Sequence, residues 1–174
     1  MFKIYEPKER TIYQLPYYPD RIVHHILMNV LEPIFVKWFT KNTYSCIKGR
    51  GIHKMISTME KSLRDDREGT KWCLKIDIKK FYPSIDQDIL IKIINTKIKD
   101  PWLMQVLIEI IHSSDNGVPI GNYLSQFFAN VYLNNIDHWA KEKLRLKHYY
   151  RYCDDIVVLG DNPEVLYKIY RLIN

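Results

Sequence analysis

Long apolar runs are missing from this 174-residue sequence. No stretch reaches the ~18 consecutive apolar residues of a membrane span, so no partnership with a bilayer core is expected. The first ten residues, MFKIYEPKER, hold no apolar block of the kind a secretory signal needs. Cysteine is scarce and unpatterned, with Cys46, Cys73 and Cys153 odd in number and far apart. Neither C-x-x-C nor H-E-x-x-H occurs. These absences argue against a disulfide framework or a structural zinc site, and for a reducing, cytoplasmic setting. Internal repeats and a linker between independent domains are lacking too.

What remains is ordinary globular material: 47% hydrophobic and 26% charged residues, which excludes global disorder. The length suits one domain or two intimately packed subdomains with a proper core. A net charge of +6 is a weak pointer to nucleic acid. Thirteen tyrosines strengthen it, because aromatic faces among basic stems suit nucleic-acid grooves, although tyrosines also serve as half-buried packing residues.

Along the chain, residues 2–19 are interrupted by three prolines and read as extended. Asp20 is placed to cap a helix whose stripe is Ile22, Val23, Ile26, Leu27, Val30 and Leu31, with Pro33 predicted to kink or restart it on the way to Phe39. A basic segment with two glycines, 41–52, precedes a helix over about 53–64. Residues 72–78 alternate like a buried strand. Ser84 and Gln87 match a capping box, Pro101 opens a short helix, and 113–117 form a turn. The longest helical pattern runs from 122 to about 143. Two short β-type runs, 148–153 and 156–159, flank Asp154 and Asp155 as a hairpin. The order predicts an α+β fold with an antiparallel sheet covered by helices.

Two carboxylate-bearing segments stand out. In KIDIKKFYPSID (75–86), Asp77 sits where an apolar strand ends; in YYRYCDDIVVLG (149–160), two aspartates occupy a hairpin tip. Each has a plain alternative, since Asp-Asp favours turns and a lone Asp caps helices or pairs with a cation. If the two strands are neighbours, however, three carboxylates converge on one sheet edge. An all-oxygen set suits Mg²⁺, and a two-ion site serves in-line phosphoryl displacement.

The same residues resemble the reverse transcriptases. KIDIKKFYPSID resembles their first palm motif, and YCDD (152–155) their Y-x-D-D hairpin. VPIGNYLSQFFANVYLN (118–134) is similar to the block where most members carry Q-G-x-x-x-S-P. LPYYPDRIVHHILMNVLEPIF (15–35) and YSCIKGRGIHKMI (44–56) resemble fingers blocks. Ile120 and Gln126 depart from the usual Gln and Pro. The resulting I-G-x-x-x-S-Q is similar to the enzymes of bacterial diversity-generating retroelements, ahead of retron, group II intron or phage-defence types. A non-catalytic nucleic-acid-binding module is the alternative of another class.

The resemblance implies a right-hand polymerase fold without its thumb: fingers over 1–72 and 87–121, palm over 73–86 and 122–174. It implies Asp77 and Asp154 as direct ligands of two Mg²⁺ ions, with Mn²⁺ a substitute, together with the Ile78 carbonyl. Asp155 would support the primer end or second metal more weakly. Tyr82 falls where the family places its steric gate against a ribose 2′-hydroxyl, unless it is a core tyrosine beside Phe81. Ile120, where a glutamine helps hold the nucleotide, implies looser selection, with packing under the fingers as the alternative. Gly121 admits close backbone approach. Arg10 and Lys48 or Arg50 are triphosphate candidates, or solvated charges. Gln126 and Tyr152 are assigned to template and primer, and Cys153 to an inert strand position. The implied partners are an RNA template, a DNA primer, dNTPs and a small basic helical accessory protein.

Overall fold

The computed structural model describes residues 2–5, 10–12, 16–119, 121 and 123–173, with the backbone alone for 2–4, 10–12 and 123. Two compact units emerge, each assembled from separated stretches: 1–39 with 80–133, and 40–79 with 134–174.

In the first unit, β1 (Phe2–Ile4) and β2 (Arg10–Ile12) form an antiparallel pair, as the extended reading requires. A kinked turn, Tyr17–Arg21, extended at Tyr18 (φ −119°, ψ 134°), then leads into α1 (Ile22–Val36). Asp20 is therefore not the cap. Arg21 N already donates to the Pro16 carbonyl, so the turn begins before Asp20, and α1 starts without a side-chain cap. Pro33 does not restart the helix either; α1 runs through it and stops at Val36, short of Phe39. Pro33 lies one turn from the helix end on an exposed face, as does Asn29, whose carbonyl it cannot serve, so solvent can take that carbonyl. Leu27, Met28, Leu31 and Phe35 form the buried stripe, and Phe35 meets Phe127 edge-on at 5.8 Å.

The short α3 (Phe81–Ser84) precedes α4 (Gln87–Asn95) and α5 (Pro101–Ile111). Here the predicted capping box is displaced. Ser84 donates back to the Lys80 carbonyl, while Asp86 caps α4 by accepting from Ile89 N at 2.9 Å. Asp100 caps α5 in the same way, ahead of Pro101. Each such cap contributes about 1 kcal/mol. Gln87 instead shares its amide hydrogens among the carbonyls of Ile111, Ser114 and Gly117, which staples the 113–117 turn to α4. α6 (Tyr123–His138) follows; from residue 134 on it belongs to the second unit, as does the π-helical turn, Trp139–Lys143, that completes the predicted long helix.

The second unit holds α2 (Ile52–Asp65), β3 (Trp72–Asp77), β4 (His148–Tyr152), β5 (Asp155–Gly160) and α7 (Pro163–Ile173). The sheet order is β3–β5–β4, antiparallel throughout. β3 is thus an edge strand and not a buried one: Leu74 and Ile76 are half-buried, and the residues alternating with them are exposed. One sheet face, with Tyr149, Ile156 and Val158, packs on Leu166 and Ile169 of α7 and on Ala140. The opposite face carries Tyr150, Val157 and Leu159 against Tyr44 and Met55. Among the described residues no helix is long and apolar enough to cross a membrane.

Gly117 shows how tightly the first unit is closed. It adopts φ +61°, and a Cβ there would lie 2.0 Å from the Tyr82 carbonyl oxygen. Gly117→Ala should cost about 2 kcal/mol or more in urea unfolding. Gly117→Asn should remain destabilised, because it tolerates the dihedral but not the contact; wild-type stability in the Asn variant would show that the approach is not limiting.

Candidate active site

The sheet register brings the carboxylates together. Asp77 closes β3 directly opposite Asp155, the first residue of β5. Tyr152 is the partner of Asp155 on the other side, so Cys153 and Asp154 form a two-residue turn. Opposed residues share a face with Cβ atoms about 4.5–5.5 Å apart. Asp77 and Asp155 therefore crowd one face at the sheet's end, with Asp154 on the adjoining turn.

Like charges directly opposed weaken strand pairing, so this arrangement calls for a cation. Part of the answer is Lys75, two residues before Asp77 on the same face. Its Nζ lies 3.0 Å from Asp155 Oδ1. The hydrogen bond to Asp155, that carboxylate's charge and then Asp77 hold the Lys75 ammonium above its usual pKa. Lys75 thus answers Asp155 first and Asp77 second. The donors are all oxygen, which suits a hard divalent ion such as Mg²⁺. Among the described residues no three side chains are drawn into a ready-made metal cluster, and Asp155 is turned to Lys75. The residues thus fit such an ion by chemistry and register.

A buried network lies behind the turn. Asp137 of α6 and Arg151 of β4 are both fully buried and form a bidentate pair, Nε to Oδ1 at 2.8 Å and Nη2 to Oδ2 at 2.6 Å. Tyr149 OH and Thr43 Oγ1 donate to the same carboxylate at 2.6 and 2.7 Å. Burial works against the Arg151 charge, but the Asp137 charge and hydrogen bonds more than offset it, and the guanidinium stays protonated. The Tyr149 phenol is pushed far up by burial and by Asp137. Arg151 Nη1 donates to the Cys153 carbonyl at 2.9 Å. Cys153 itself sits at φ +52°, a left-handed conformation that costs a non-glycine residue about 1–3 kcal/mol.

Sequence reading missed Asp137, Arg151 and Lys75. The signal was an arginine at an inward position of an apolar hairpin strand and an aspartate on the apolar stripe of a helix. Cys153 is a turn residue, not a strand residue. Its thiol is pushed up by its hydrogen bond with Cys46 and by burial, which fits its expected inertness. Ser45 Oγ bridges the pair, 2.8 Å from Cys153 Sγ and 3.3 Å from Cys46 Sγ. The hydrogen bond from Cys153 holds the Cys46 thiol down at about 6.

The other candidates are placed as follows. Ile78 follows β3 directly, and Lys48 is exposed in a turn. Arg50 Nη1 donates to the Thr40 carbonyl at 2.8 Å. Tyr152 is half-buried, and burial raises its phenol pKa. In the first unit, Tyr82 is half-buried with its ring 5.5 Å from that of Phe81, and its carbonyl accepts from Val118 N. Gly121 has φ +124°, and Gln126 is an exposed residue of α6. Of Arg10 only the backbone is described, in β2, and Ile120 lies outside the described residues.

Residues 6–174 match the family described as reverse transcriptase (RNA-dependent DNA polymerase). The Group II intron-encoded protein LtrA of Lactococcus lactis subsp. cremoris is 27% identical over 143 residues, covering 76% of this chain and 23% of that protein. Protein YkfC of Escherichia coli (strain K12) is 24% identical over 155 residues, covering 81% and 41%. This chain therefore spans less than half the length of either relative. Among solved structures, apo telomerase from Candida tropicalis truncated from its C-terminal domain aligns with TM-score 0.58 and 16% identity, covering 89% of this chain and 36% of that one. Telomerase from Candida albicans in complex with the TWJ fragment of telomeric RNA aligns with TM-score 0.60 and 11% identity, covering 86% and 31%. These likenesses show the fold: part of a polymerase right hand.

The thiol pair yields a pH prediction. Cys46 should be alkylated by iodoacetamide at a rate rising through about pH 6. In Cys153→Ala the midpoint should move up toward the ordinary thiol value of about 8.5. Peptide mass spectrometry across pH 5–9 checks both; an unmoved midpoint would remove Cys153 as the cause.

Proposed function

We propose that this chain, which belongs to the reverse transcriptase family, carries the catalytic centre of an RNA-directed DNA polymerase that copies a template RNA into cDNA. The observation that carries this reading is the register pairing of Asp77 with Asp155 beside the Asp154 turn. A pure binding surface has no reason to crowd three acids against a polyanion.

In this reading Asp77, Asp154 and the Ile78 carbonyl would hold two Mg²⁺ ions, for which Mn²⁺ would substitute. Bound there, the ions would supply activation of the primer 3′-hydroxyl and charge neutralisation at the dNTP phosphates. Asp155, engaged by Lys75, contributes more weakly. The remaining assignments concern orientation. Tyr82 excludes a ribose 2′-hydroxyl, Gly121 brings the backbone close to the nucleotide, and Arg10, Lys48 and Arg50 attract the triphosphate. Gln126 and Tyr152 lie along template and primer. The palm comprises 73–86 and 122–174, and the fingers the rest. Template and primer bind through phosphate and A-form shape, hence in a salt-sensitive way. A small basic helical accessory protein and a cytoplasmic setting complete the proposal.

The I-G-x-x-x-S-Q block at 120–126 supports a setting in a diversity-generating retroelement, by its similarity to those enzymes. The group II intron relative favours a second reading, an intron- or retron-type enzyme.

Primer extension on oligo(dT)-primed poly(rA) with Mg²⁺ tests the activity, using the full natural gene product that contains this chain. Removing several kcal/mol of charge stabilisation corresponds to about a thousandfold in rate, so Asp154→Ala should fall by at least that factor. Undiminished function in Asp77→Asn would return the protein to the binding-module class. For the setting, Ile120→Gln should lower misincorporation opposite template adenine, read by sequencing the cDNA. An unchanged error spectrum would favour the intron or retron type.

A further inference from the structure

The turn that carries Asp154 is short, left-handed at a non-glycine residue, and held from the protein interior by the Arg151 side chain. Arg151 uses Nε and Nη2 on Asp137 and spends Nη1 on the Cys153 carbonyl. That carbonyl belongs to the peptide whose nitrogen is Asp154 N, so the bond sets the plane from which the Asp154 side chain departs. We propose that Arg151 is a positioning residue: locked in orientation by Asp137, it holds the turn so that Asp154 and Asp155 stand where the site needs them. The activity part rests on the polymerase reading; the placement of the turn does not.

Three features make the arrangement more than core filling. First, the Asp137 carboxylate is saturated, two donors on each oxygen, so it cannot swing and take Arg151 with it. Second, the guanidinium is planar, so fixing one edge on Asp137 aims Nη1. Third, Arg151 is anchored through its backbone as well. Its N donates to the Asn42 carbonyl and its carbonyl accepts from Tyr44 N, which stitches β4 to residues 42–44. The chain then continues to Ser45, whose hydroxyl meets the Cys153 thiol from the side. A lysine at 151 could satisfy Asp137, but its single ammonium has no second arm in a fixed direction for the turn.

The test separates positioning from packing. Two variants are made in the full natural protein. Arg151→Lys keeps the charge opposite Asp137. Arg151→Met with Asp137→Leu removes both charges together, so no buried charge is left unpaired. Thermal unfolding, Mn²⁺ affinity by electron paramagnetic resonance, amide hydrogen exchange at 153–155 and steady-state kinetics are measured for each. The expected result is near-wild-type melting of the double variant, at least tenfold faster exchange at the turn, at least threefold weaker Mn²⁺ binding, and kcat down at least tenfold with KM for dNTP little changed. A folded variant with wild-type exchange and Mn²⁺ affinity would overturn the proposal. So would failure of both variants to fold, which would assign the pair to the core alone. If the wild-type protein shows no polymerase activity, the polymerase reading fails, while exchange and Mn²⁺ binding still decide the role of Arg151.

Discussion

The ion pair of Arg151 and Asp137 is the constraint on which the sheet-bearing unit turns. Both side chains have given up water entirely. Such a pair is retained only when geometry is good and the remaining lone pairs and protons are used. Here the carboxylate accepts four hydrogen bonds, and the donors come from two separate parts of the chain: Thr43, and the strand that carries both Tyr149 and Arg151. Non-polar side chains could fill the same volume, but they would not specify which rotamer, which register and which turn conformation belong together.

That specification matters because the exposed end of the sheet is electrostatically unfavourable. Asp77 and Asp155 face each other across an edge pair, and Asp154 adds a third negative charge. The apolar pairs behind them supply the opposing free energy, since Ile76, Ile156 and Val158 hold β3 and β5 together over α7. Lys75 relieves part of the repulsion but is largely exposed, so its contribution is small. The chain's overall positive charge suits a polyanionic partner, whereas this one corner is acidic.

Much of the local architecture was legible in the sequence. The hairpin, the β3 strand, the helix opened by Pro101 and the long helical pattern all follow from periodicity and punctuation. What periodicity does not carry is register between distant segments. Asp77 and Asp155 are opposed because Leu74 and Ile76 must face α7, a fact visible only once α7 is in place. Short-range competition also misled. Asp86 outcompeted Ser84 as a cap because the chain is extended at Asp86, whereas Ser84 is still inside α3. Gln87 left the capping box to serve three carbonyls of a distant turn, and its residue type gave no hint of them. Arg151 and Asp137 each stand out as a charge at an inward position, but what pairs them is a long-range contact that the local pattern does not carry.

The turn itself shows why a cysteine occupies the left-handed position at 153. Glycine would adopt φ near +52° at no steric cost, but it would also loosen the turn, having more conformational freedom to lose on folding. A side chain at 153 costs backbone strain and in return gives the turn a lateral contact. Its thiol meets Ser45 Oγ at 2.8 Å, while its carbonyl is held from behind by Arg151 at 2.9 Å. Two independent restraints on one residue stiffen the turn more than either alone, because each blocks a rotation the other allows. The strain at Cys153 thus comes with a turn restrained from the side and from behind.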